Sequence, residues 1–143
     1  MKHVRLIIIL LSFFMLSACA SGIKYVEYQS KIPPQSADTG RIFFYRPSSL
    51  GAALRPTVLL NNEKVGETIS YGFFYVDRPA GDYQVVTSTE VTRKLSFVLE
   101  KGQSRYVRFS TSFGFFVGHV YGELVDPEVG LKEIQDCKYT GTP

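Results

Sequence analysis

The chain is poor in the side chains that do chemistry. Its 143 residues hold two cysteines, Cys19 and Cys137, and two histidines, His3 and His119. One histidine and one distant cysteine in the body of the chain do not make a zinc site, and no acidic run has the spacing of a calcium loop. No metal and no cofactor is therefore expected. There is no Gly-x-Ser-x-Gly elbow and no glycine loop of the kind that cradles phosphate. Lys and Arg are not gathered into a stripe that could track a nucleic-acid backbone, so a nucleic-acid partner is not expected either. The formal charge of +3 overstates even this modest basicity. Lys2 and Arg5 lie in the first eighteen residues, and without them 14 basic side chains face 13 acidic ones.

What is present first is a leader. Lys2 and Arg5 precede an almost unbroken apolar run over residues 6–16, which closes in Leu16-Ser17-Ala18-Cys19. A basic start, a short apolar stretch and small residues before a cut describe a signal peptide. A transmembrane helix needs about twenty apolar residues, and this run gives way to Ser21-Gly22-Ile23-Lys24 sooner than that. An ordinary secretory signal also ends in small residues but does not require a cysteine at the cut. The reading adopted is a bacterial lipobox, with cleavage between Ala18 and Cys19 and lipidation of Cys19. That leaves a mature chain of 125 residues, enough for one domain, and leaves Cys137 with no partner for an intrachain disulfide.

The remaining boundaries follow composition. Residues 19–39, with Pro33-Pro34 and few apolar side chains, read as the lipidated N-terminus and an extended tether, although Tyr25, Val26, Tyr28 and Ile32 offer contacts. Residues 40–138 read as a single mainly β domain, an antiparallel sandwich or barrel-like fold with a short C-terminal helix, and residues 139–143 as a loose tail. Arg41-Ile42-Phe43-Phe44-Tyr45-Arg46, stopped by Pro47, is the strongest strand. Asn61-Asn62 between Thr57-Val58-Leu59-Leu60 and Lys64-Val65-Gly66 marks a tight hairpin. Residues 71–76 form a strand, followed by a turn at Arg78-Pro79-Ala80-Gly81-Asp82. Leu95, Phe97 and Leu99 alternate with Lys94, Ser96 and Glu100, which predicts a strand with one wet face. Val107 and Phe109 point inward around Arg108, a last strand covers residues 115–125, and Asp126-Pro127-Glu128 opens a helix that turns Ile134 and Cys137 toward the sheet.

These stretches resemble the small bacterial lipoproteins of the domain-of-unknown-function family two-eight-four-six. The resemblance is carried by Gly40-Arg41-Ile42-Phe43-Phe44-Tyr45-Arg46-Pro47, by the hairpin around Asn61-Asn62, by Pro79-Ala80-Gly81-Asp82-Tyr83, and by Leu99-Glu100-Lys101-Gly102-Gln103. It continues through Leu124-Val125-Asp126 to Asp136-Cys137-Lys138. It implies a sandwich-like periplasmic domain on a lipid anchor, and it brings no catalytic residues with it.

Three features invite a sharper reading. Strand alternation sends Tyr71, Phe73 and Tyr75 to one face and Phe74 and Val76 to the other, so both faces are apolar. Either both are covered, one by the opposite sheet and one by the C-terminal helix, or Tyr71, Phe73 and Tyr75 form a patch able to stack on sugars of peptidoglycan. His119 is the one histidine left after cleavage, so a hydrolase would have to be centred on it, beside a serine and a carboxylate. Cys137 is either a buried thiol or an intermolecular disulfide. The expectation is a non-enzymatic lipoprotein of the outer membrane, facing the periplasm, that acts as a binding or structural module. Its partners would be the membrane through the anchor and an envelope protein or peptidoglycan. Ala20 and Ser21 after the cysteine, with no Asp, favour the outer over the inner membrane.

Overall fold

A computed structural model describes residues 20–114 and 118–141, with the backbone alone at Val91. The leader, the lipobox with Ala18 and Cys19, and the first residues of the strand expected from Phe115 lie outside the described residues.

The run Arg41 to Arg46 becomes β1 (Thr39–Arg46), and its alternation decides the layering of the whole fold. Ile42 and Phe44 face one side and Phe43 and Tyr45 the other, and all four are buried. A strand with no wet face must sit inside a sheet that is covered on both sides. It does: the first sheet has the order β8-β7-β1-β4-β9, with β4 at Gly72–Pro79, β7 at Ser104–Phe113, β8 at Gly118–Val125 and β9 at Lys138–Tyr139. The second sheet, β3-β2-β5-β6, comprises β2 (Thr57–Leu60), β3 (Glu63–Glu67), β5 (Gly81–Thr87) and β6 (Glu90–Leu99).

Between the sheets lies the main core. Ile42, Phe44, Phe74, Val107, Phe109 and Val120 meet Val58, Leu60, Val85, Phe97 and Leu99. The period of two in β6 holds, with Phe97 and Leu99 buried and Lys94, Ser96 and Glu100 exposed. Asn61 and Asn62 take φ of 48° and 69°, the left-handed pair that a two-residue hairpin needs. Asn61 also stitches the hairpin to β5, donating to the Asp82 carbonyl at 3.1 Å and accepting from the Gln84 N–H at 2.8 Å.

The fold is mainly β, but the first sheet is mixed rather than antiparallel. β1 runs parallel to β7, and β4 parallel to β9. Side-chain alternation reports faces and carries no information on direction, so the parallel pairs leave no mark in it. The turn expected at residues 78–82 is a bend at Ala80 between strands of different sheets. β4 continues through Pro79, pairing with Thr39, and the chain then changes sheet into β5, its bend pinned by the Tyr83 hydroxyl donating to the Pro79 carbonyl at 2.8 Å. At the β8 edge, Thr87 Oγ1 donates to the Val120 carbonyl and the Val120 N–H donates to Thr89 Oγ1 at 3.1 Å, which joins the two sheets on that side.

Packing extends beyond both ends expected of the domain. The stretch read as a tether forms a short helix α1 (Tyr25–Tyr28) and a 3-10 turn (Gln29–Lys31). Ala20 is buried and donates its N–H to the Ser70 carbonyl at 2.9 Å. The segment read as a loose tail begins inside β9, whose Tyr139 stacks on Tyr28 at 4.1 Å. In both cases a few aromatic rings in a polar context supply the contacts. The C-terminal helix forms as α2 (Pro127–Glu133) and continues as a 3-10 turn (Ile134–Asp136), with Ile134 and Cys137 fully buried toward the sheet. Asp126 occupies the N-cap position without a side-chain capping bond.

Loop 47–56 is built on Arg46. Its side chain, 1% exposed, sends the guanidinium to the carbonyls of Leu50, Gly51 and Leu54 and to Thr111 Oγ1, at 2.6 to 2.9 Å. Among the described residues no carboxylate is paired with it. The charge is spread over oriented carbonyl dipoles instead, which fixes the loop against β7.

Candidate functional site

The outer face of the first sheet carries the aromatic residues that the sequence singles out. Phe73 lies centrally in β4 and is fully buried. Tyr25 meets it edge-on at 5.3 Å, Tyr28 at 6.0 Å, and Tyr139 lies tilted at 5.5 Å. Tyr75, half-buried, packs on Phe43 at 5.9 Å. Tyr71 does not share this alternation. It precedes β4 with φ of 53°, its N–H donating to the Arg46 carbonyl at 2.8 Å, and its side chain is exposed. Tyr71, Phe73 and Tyr75 therefore do not make one open stacking platform. Both faces of β4 are covered, and the outer cover is supplied by α1 and β9 together with Ile134 and Cys137 rather than by a C-terminal helix alone.

At the rim of this face an open depression is lined by Gln29, Pro33, Pro34, Gln35, Arg41 and Phe43. Arg41 is its one cation and is already committed. Its Nε and one terminal nitrogen grip both oxygens of Asp77 at 2.6 and 2.8 Å, and that terminal nitrogen also donates to the Pro33 carbonyl at 3.0 Å. The guanidinium sits 4.8 Å over the Tyr75 ring. The hydrogen bond to Asp77 raises the Arg41 pKa, so the guanidinium keeps its charge. An incoming anion would have to displace Asp77 from this bidentate fork.

His119 sits on β8 opposite Ser112 in register. Its Nδ1 lies 2.8 Å from the Thr89 carbonyl, an acceptor only, so Nδ1 carries the proton. Glu90 Oε2 is 3.7 Å from the same nitrogen. The other Glu90 oxygen accepts from the Thr92 hydroxyl and from the backbone N–H groups of Thr92 and Arg93, which hold the carboxyl below its ordinary range. In a triad the carboxylate orients the imidazole and the far nitrogen faces a nucleophile. Here a backbone carbonyl does the orienting, and among the described residues no serine hydroxyl is hydrogen-bonded to His119.

Cys137 is fully enclosed, and burial pushes its thiol up to about 12. An intermolecular disulfide would need an accessible thiolate, and this site supplies neither access nor ionisation. Beside it lies a polar cluster that strand periodicity gives no means of finding. The Tyr45 hydroxyl donates to Glu133 Oε2 at 2.6 Å, and Arg108 donates to Glu133 Oε1 at 2.9 Å and to Glu123 Oε2 at 3.3 Å. Ser110 completes it with a 2.9 Å bond to the same Glu123 oxygen. Arg108 does point away from the main core, as its alternation predicts, but into the second layer, where it fastens α2 to β7. Among the described residues no group of three or more His, Cys, Asp and Glu is arranged to hold a metal ion. No described helix is long and apolar enough to cross a membrane.

Comparison with known proteins gives a family. A protein from Haemophilus influenzae described as "Uncharacterized protein" is 32% identical over 126 residues, which are 84% of this chain and 74% of that protein. No solved structure matches. The family model described as "Protein of unknown function (DUF2846)" matches residues 36–120. That span begins just before β1 and ends within β8, so it holds most of the two-sheet body and omits α1, α2 and β9, which cover the outer face. With more than half of its length inside the matched span, the chain belongs to the DUF2846 family.

Proposed function

We propose that this protein is a lipid-anchored module of the bacterial cell envelope. Residues 1–18 are a signal peptide, and Cys19 becomes the lipidated first residue of a mature protein held on the outer membrane, facing the periplasm. The observation that carries the reading is the apolar run over residues 6–16 closing in Leu16-Ser17-Ala18-Cys19, followed by Ala20 and Ser21 with no Asp to favour the inner membrane. The domain acts without catalysis, as a binding or structural element whose partner is an envelope protein. In support, the polar groups from which an active site would be built are each engaged in holding the fold. His119 is spent on a backbone carbonyl, Arg41 on Asp77, Arg108 on two glutamates, and Cys137 is enclosed.

Metabolic labelling with palmitate and cell fractionation test the anchor. Label is expected in the membrane fraction and lost in Cys19→Ser, which appears in the soluble fraction. Labelling that persists in Cys19→Ser refutes the reading.

A further inference from the structure

Several chain segments converge at one end of the sandwich. β1 ends there at Arg46, opposite Gly72 at the start of β4. β7 runs parallel to β1 with Arg108 beside Tyr45, and it continues to Phe113. At about 3.3 Å per residue, the paired strands β7 and β8 therefore project roughly 13 Å past the end of β1. Loop 47–56 folds against the base of this projection, where Thr111 Oγ1 donates to the Leu50 carbonyl at 3.0 Å. Large apolar side chains are left in the open here: Phe113 is 60% exposed, Leu50 54% and Tyr71 39%. Ala20 is at the same end, 4% exposed and hydrogen-bonded to Ser70, the residue before Tyr71.

We propose that this end of the domain seats directly on the lipid bilayer that receives the acyl chains of Cys19, with Leu50 and Phe113 as its apolar contacts. The inference rests on the lipid-anchor reading and adds to it a fixed orientation. The chain outside the structure ends here, and successive Cα atoms are about 3.8 Å apart, so an acylated Cys19 has no spacer between it and the packed Ala20. The end that carries Ala20 is then held at the level of the lipid headgroups, which leaves no gap for a protein to fill. Exposed Leu and Phe side chains gain by burial at that depth. The other end of the sandwich is richer in charge, although Val98 at the end of β6 is exposed there. It presents the turn Glu100-Lys101-Gly102 and the exposed Lys101–Asp38 ion pair at 2.9 Å, and it points away from the membrane.

The test uses the full chain, lipidated in producing cells and reconstituted into phosphatidylethanolamine–phosphatidylglycerol vesicles. Leu50→Cys, Phe113→Cys and Lys101→Cys are each labelled with a polarity-sensitive thiol dye, Cys137 being enclosed. Spin-labelled lipids are expected to quench the dyes at positions 50 and 113 several-fold more than the dye at 101. Equal quenching at all three positions, on protein that still incorporates palmitate, overturns the orientation and leaves the anchor standing. Dyes at 50 and 113 that are shielded from aqueous acrylamide yet untouched by the lipid quencher mean that a protein covers this end, and also overturn it. Palmitate incorporation that does not depend on Cys19 overturns the anchor itself.

Discussion

Gly130→Ala sets two physical effects against each other. In the interior of a helix, Ala is favoured over Gly by about 1 kcal/mol, so on propensity alone the substitution stabilises α2. The packing opposes it. A Cβ at Gly130 would lie 2.4 Å from both Cβ and Cγ of Tyr106 and 2.7 Å from Cδ1. Those atoms stand at the root of a buried side chain on β7, and the Tyr106 ring is stacked on Phe43 at 5.0 Å, so it cannot swing aside. Reaching ordinary contact at about 3.5 Å or more requires α2 to lift by about 1 Å. Lifting loosens the Glu133 bonds to Tyr45 and Arg108 and the packing of Ile134 and Cys137. Overpacking of this kind costs about 1 to 3 kcal/mol, and a clash at the base of a side chain belongs at the upper end. The expected net loss is about 2 kcal/mol, or a Tm lower by roughly 6 to 10 °C for a domain of this size. Urea unfolding of the purified chain, followed by far-ultraviolet circular dichroism, measures it. Val129→Ala, on the exposed side of the same turn, should stay within about 0.5 kcal/mol. A Gly130→Ala protein as stable as the parent or more so would refute the close approach of α2 to β7.

Phe73→Ala should cost about 3 to 5 kcal/mol in the same assay and Tyr71→Ala less than about 1 kcal/mol; similar small losses at both would mean that Phe73 is not in the core. The Cys137 thiol should resist an aromatic disulfide reagent at pH 8 in the native protein and react at once in urea, and rapid native reaction would contradict its enclosure. Burial raises the pKa values of Tyr45, Tyr106 and Tyr139, the last to about 12, while an unfolded tyrosine titrates near 10. Above pH 10 the unfolded chain loses protons that the native one keeps, so stability present below pH 10 should fall between pH 10 and 12, and a urea midpoint unchanged across that window would refute it.

The strands were legible because each rests on a short-range signal. Pro47 stops β1, Asn61-Asn62 supplies left-handed backbone, and Leu95, Phe97 and Leu99 alternate. The pairing of those strands was not legible, since β1 meets β7 through a parallel contact between segments about sixty residues apart. The cover on the outer face was half legible: Ile134 and Cys137 showed in the helical spacing, whereas α1 and β9 are too short for any period to register. At the candidate site, the apolar character of both faces of β4 was readable. Which residues stayed open was not, because Tyr71 leaves the strand geometry through a positive φ, a departure unusual for a tyrosine.

The contact between α1 and β9 also bears on how the chain folds. Tyr25 donates its N–H to the Cys137 carbonyl at 2.8 Å, Lys24 bridges Lys138, and Tyr28 stacks on Tyr139. Until residues 134–139 arrive, the outer face of β1 lacks part of its cover, and before β7 arrives β1 also lacks one neighbour. A chain made from its N-terminus therefore carries Ile42-Phe43-Phe44-Tyr45 unpaired on one side until Ser104 and the residues after it have been made. Such non-local closure is slow and leaves an aromatic strand edge open to wrong partners in the meantime. Removing Cys137 and β9 would forfeit the partners of Lys24, Tyr25 and Tyr28 as well as the pairing of β9 with β4, so the segment before β1 and the segment after α2 are kept or lost together.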